Sequence, residues 1–180
     1  EYTSASKNVL LIEYNVDGTR GWTRPSRWWT AFGSGSSATL PLIDVDSGFR
    51  TTMGSQGSTT DAFRKVYKRM IDEALRRKAG VDLAAAYKVV NNDVVVTVRV
   101  TNRSGVTLSS GNRTTLNAVI WLDKKILHTG RTAVAEQVNA LCGKPLMNGE
   151  TATCQMTMKD HAKDMAPNIS HVLALVDYQP

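Results

Sequence analysis

Asp93-Val94-Val95-Val96-Thr97-Val98-Arg99-Val100-Thr101 decides how the second half of this 180-residue chain folds. Val94, Val96, Val98 and Val100 alternate with Val95, Thr97, Arg99 and Thr101. A strand of this sequence has one valine face and one largely polar face. The branched Cβ of valine favours extended backbone. Asn91-Asn92 is a turn signal just before it, and residues 87–90 are the expected partner strand. A face of four valines needs a second layer over it.

The later sequence offers that layer. Leu116, Ala118, Ile120 and Leu122 alternate inward. Ala152, Cys154, Met156 and Met158 share one face, and Thr151, Thr153, Gln155 and Thr157 the other. Residues 125–128, 132–141 and 170–178 are further expected strands. About seven strands joined by turn-rich loops predict an immunoglobulin-like β-sandwich over residues 83–180. Trp121 precedes both cysteines, so the Cys-Trp-Cys order of antibody domains is absent.

Residues 1–82 predict a separate, small α/β domain, with the boundary at 80–86. The apolar run 9–14, Val-Leu-Leu-Ile-Glu-Tyr, suits a strand buried on both faces. Pro25 can open a short helix over 26–32. Gly33-Ser34-Gly35-Ser36-Ser37 is a flexible connector. Residues 40–45 and 49–56 form a hairpin about Asp46-Ser47-Gly48. Residues 61–78 carry a helical stripe of Phe63, Val66, Tyr67, Met70, Ile71, Ala74 and Leu75, with capping hydroxyls at Ser58, Thr59 and Thr60. The expected fold class is therefore α+β.

Composition excludes some functions. No run of about 18 apolar residues occurs, so no helical membrane span is expected. The polar N-terminus has no apolar leader core, so any signal peptide is expected to have been removed already. The net charge of +6 is spread along the chain, which suits solubility rather than a nucleic-acid footprint. Cys142 and Cys154 flank a segment holding Gly143, Pro145 and Asn148-Gly149. Their spacing suits a disulfide clipping a loop between adjacent strands, and with it an oxidising, extracytoplasmic compartment. Two buried free thiols are the alternative. Three Asn-x-Ser/Thr triplets begin at Asn102, Asn112 and Asn168.

Few residues invite chemistry. His128, His161 and His171 lie in no recognisable nucleophile setting. Asp160, His161 and Asp164 suit a solvated turn better than a metal site. Asp17, Asp44 and Asp46 lack the distal glutamate of a calcium loop. No catalytic residue, metal or cofactor is expected. The unusual feature is Arg20, Trp22, Arg24, Arg27, Trp28 and Trp29. Aromatics between cations suit a protein contact or a stacked sugar, and packing of Trp28 or Trp29 into a core is the alternative.

The order of the first half resembles a shortened thioredoxin-like fold. Residues 9–14 stand for the first strand. Gly21-Trp22-Thr23-Arg24-Pro25 stands where Cys-x-x-Cys-Pro would be, and Leu40-Pro41-Leu42 resembles the cis-proline entry. A thioredoxin-like domain joined to an immunoglobulin-like sandwich resembles a family of bacterial extracytoplasmic proteins, often outer-membrane lipoproteins. The resemblance implies a cis peptide at Pro41. Gly21 and Arg24 at the cysteine positions remove the dithiol chemistry. The expectation is a non-enzymatic structural or interaction subunit, with a protein partner or homo-oligomer. A glycan-binding module using the Arg/Trp stretch and a divergent thiol-disulfide oxidoreductase relative are the alternatives.

Overall fold

The computed structural model describes residues 9–15, 22–32, 40–54, 57–124 and 131–178. In chain order the elements are helix α1 (Thr23–Phe32), strands β1 (Leu42–Val45) and β2 (Arg50–Met53), and helix α2 (Thr60–Leu75). Strands β3 (Val81–Val90), β4 (Asp93–Asn102), β5 (Thr115–Leu122), β6 (Thr132–Ala140), β7 (Thr151–Met158) and β8 (Ser170–Asp177) follow. The chain divides into two units, Glu1–Trp22 with Ala79–Pro180, and Thr23–Lys78.

The first unit is built of two antiparallel three-stranded sheets, β3-β4-β7 and β6-β5-β8. The register sets Val94 opposite Met158, Val96 opposite Met156, Val98 opposite Cys154 and Val100 opposite Ala152. The four valines are fully buried and share one core with Leu116, Ala118, Ile120, Val134 and Ala135 of the second sheet. The valine face is therefore covered as its alternation requires. The other face of the second sheet is apolar too. Val119, Ala133 and Trp22 are buried there, with Ile12, Tyr14 and Leu175 against them.

The predominance of strands among the described residues overturns the expected α+β class with its reduced thioredoxin-like layer. The apolar run 9–14 does not head an α/β layer. It meets the sandwich by a single parallel bridge from Glu13 to Thr132, with Glu13 N–H donating to the Arg131 carbonyl at 2.9 Å. Ile12 and Tyr14 of the run pack on that sheet face, and Leu10 and Leu11 are exposed. The described residues are rich in β-structure, in three antiparallel sheets, the third being the β1–β2 hairpin. β3 starts at Val81, and the second unit ends at Lys78. Residues 125–130, which include the expected strand 125–128, lie outside the described residues.

In the second unit β1 pairs with β2, Leu42 opposite Met53. The Leu40–Pro41 peptide is cis. Thr59 caps α2, its hydroxyl accepting from Ala62 N–H at 3.2 Å. Met70 is the buried residue of the α2 stripe. Phe49 lies beneath the guanidinium groups of Arg50 and Arg77, which also pair with Glu73 and Asp46.

Candidate interaction surface

β3 breaks the burial rule that β4 and β7 obey. Val81, Leu83, Ala85, Tyr87 and Val89 are paired with Asn102, Val100, Val98, Val96 and Val94, so their side chains share the inner face of the sheet. On β4 that face is buried. On β3 only Val81 is partly covered, and Leu83, Tyr87 and Val89 are 38%, 49% and 48% exposed. Val90 on the outer face is 40% exposed. Long exposed apolar edge strands of this kind favour pairing with another chain.

Among the described residues the backbone edge of β3 is also open. Arg103 N–H donates to the Gly80 carbonyl at 2.9 Å, which starts the β3–β4 ladder at an even-numbered residue. Antiparallel ladders alternate, so the even residues of β3 aim their peptide groups at β4. The odd residues Val81, Leu83, Ala85, Tyr87 and Val89 aim theirs away. β3 ends its sheet. The same five residues therefore carry both the open peptide edge and the uncovered side chains of the inner face.

The two sides of the sandwich differ. On the β6–β7 side, Cys142 and Cys154 form a disulfide with Cα atoms 4.9 Å apart. Cys142 follows β6 and Cys154 lies in β7, so the bridge ties one sheet to the other rather than neighbours within a sheet. Cys154 is buried in the core. On the β3–β8 side no such clip exists. Contact there is set by Gly80, where a Cβ would lie 2.0 Å from the Tyr178 hydroxyl oxygen. Beyond that point the inner faces of β3 and β8 are incompletely covered, Val172, Ala174 and Val176 being only partly buried.

The far end of β3 is held in place. Asp93, at the end of the Asn91-Asn92 turn, accepts from Lys159 Nζ at 2.8 Å and from Asp160 N–H at 3.1 Å. Asn92 accepts from Ala162 N–H at 2.9 Å. The Lys159 hydrogen bond and then the Asp160 N–H lower the Asp93 pKa below its ordinary value. The same contact raises the Lys159 pKa. The exposed edge is thus a built strand with both ends fastened.

The described residues of the Arg/Trp stretch fall in both units. Trp22 is 6% exposed. Its Nε1–H donates to the Asn15 carbonyl at 2.7 Å, and its ring meets Tyr14 edge-on. It is a core residue of the first unit, whereas Arg24 and Arg27 stand on α1 of the second. Arg20 and the side chains of Trp28 and Trp29 lie outside the described residues. His128 and Asp17 are outside the described residues as well. His161 pairs with Asp164 at 2.6 Å, and His171 pairs with Asp123 at 3.0 Å while stacking on Trp121. Both described histidines have a local carboxylate partner. Among the described residues no three His, Cys, Asp or Glu side chains gather to hold a metal.

No protein family's profile matches the sequence, and no curated protein matches it. Among solved structures, the Salmonella enterica trimeric lipoprotein SadB is similar over 66% of this chain and 70% of its own, at 14% identity and a TM-score of 0.37. A β-glucosidase from Kluyveromyces marxianus is similar over 56% of this chain and 15% of its own, at 9% identity and a TM-score of 0.31. Likenesses at this level carry no functional argument. Among the described residues no helix is long and apolar enough to cross a membrane.

Proposed function

We propose that this chain is a non-enzymatic, extracytoplasmic interaction subunit that docks another protein chain along β3. One observation carries the reading: among the described residues the ten-residue β3 has both an open backbone edge and an uncovered apolar inner face. A strand added there gains main-chain hydrogen bonds and covers Leu83, Tyr87 and Val89 together. The disulfide supports the compartment, because such bonds persist where conditions oxidise. Its place between the sheets, with Cys154 buried, supports a structural bridge over a redox pair.

Photo-crosslinking in the cells that produce the protein tests this. A benzoylphenylalanine at Tyr87 should give adducts with a protein chain. The same group at Gln155, on the opposite face of β7, should not. Ala85→Pro should abolish the Tyr87 adducts while leaving the fold intact, because the Ala85 N–H points away from β4. Absence of adducts from Tyr87, or adducts indifferent to Ala85→Pro, would reject the reading.

A further inference from the structure

We infer that the chain docked along β3 is a second copy of this one, paired antiparallel about a two-fold axis at Ala85; this rests on the docking role of β3 proposed above. The argument is self-complementarity. A two-fold at Ala85 sets Ala85 against itself, Ala84 against Ala86, Leu83 against Tyr87, Asp82 against Lys88 and Val81 against Val89. The odd residues then meet as hydrogen-bonded pairs, because their peptide groups already face outward. The two sheets join as a continuous β7-β4-β3-β3-β4-β7 sheet, and the interface is isologous.

Charge selects this register. Asp82 and Lys88 are the charged residues of β3, and both lie on its outer face. A two-fold at Ala85 places them opposite each other twice. Moving the axis one residue either way sets each of them against a neutral residue or beyond the strand. An axis at Asp82 or Lys88 sets like charges together, which is destabilising. The same register overlaps nearly the whole strand. Ala84, Ala85 and Ala86 at the axis let the two backbones meet without bulky side chains between them. On the inner face each Tyr87 ring lies across from Leu83 of the other copy, an aromatic–aliphatic pair of the kind that stabilises sheets. Asp82 already pairs with Arg103 at 2.9 Å, and that contact is exposed. In the dimer Lys88 of the second copy shares the Asp82 carboxylate with Arg103, which reduces the gain from that pair.

Sedimentation velocity at rising protein concentration reads the outcome. The wild type should dimerise. Asp82→Lys and Lys88→Asp each set two like-charge pairs across the axis and should weaken dimerisation about tenfold or more. Mixing the two variants one to one restores both opposite-charge pairs and should restore a dimer, as should the double variant. Circular dichroism of each variant controls for folding, and the mixture controls for the loss of the Arg103 contact. A wild type that stays monomeric, or a dimer indifferent to both single variants, overturns the inference. Tyr87 adducts with a different protein, with the wild type monomeric, would overturn the second copy while leaving β3 as the docking strand. No adducts at all would overturn both.

Discussion

Asp93 shows how single side chains prepare the open strand. Its carboxylate joins the β3–β4 turn to the end of β7 through Lys159 and the Asp160 N–H. These donors favour the charged form, so the folded pKa lies below the unfolded value of about 3.9. The resulting stabilisation is present above the unfolded pKa and is lost as pH falls through the folded one. Asp93→Asn should therefore be less stable than wild type at neutral pH, and the difference should close on acidification below about pH 4. Denaturant titrations across that range measure it. A gap that stays constant in acid would contradict the linkage. Asn102 does comparable work at the opposite end. It is fully buried, donates to the carbonyls of Val106 and Leu146, and accepts from Ser104. Its triplet therefore serves the loops rather than a glycan.

At the scale of elements, β3 was only half legible. Residues 87–90 announce a strand by their partner across Asn91-Asn92. Ala84-Ala85-Ala86 carries little β-propensity, so the first half of the strand gives only a weak local signal. The missed signal was the period of two from Val81 to Val89, with Asp82 and Lys88 on the other face. Apolar alternation marks a face that something covers. It does not say whether the cover belongs to the same chain. The helix α2 and the β1–β2 hairpin were readable because caps and turns are local. Gly80, at the head of β3, is governed by a neighbour far along the chain. A Cβ there strikes Tyr178, so Gly80→Ala must push that ring aside. Overpacking of this kind costs roughly 1–3 kcal/mol, which the urea midpoint should report. An unchanged midpoint would mean that the β3–β8 contact carries no stability.

For the molecule as a whole, the disulfide closes one side of the sandwich and β3 leaves the other open. Reduction should cost about 3 kcal/mol in the chain-entropy picture for a loop of this length. Unfolding with and without reductant measures that loss, and a stability unaffected by reductant would remove the clip from the account. The alternating strands, the turn at Asn91-Asn92 and the spacing of Cys142 and Cys154 were determined by sequence alone, because strand period, turn chemistry and short loop closure act over a few residues. The expected thioredoxin-like layer failed for the opposite reason. An apolar run such as 9–14 does not say which of its residues find a cover, and the sheet that Ile12 and Tyr14 pack on lies about a hundred residues away. Which faces are covered, that Trp22 is core, and that β3 is left bare were decided by tertiary structure. Burial is a property of the surfaces that meet, and local sequence carries only one of them.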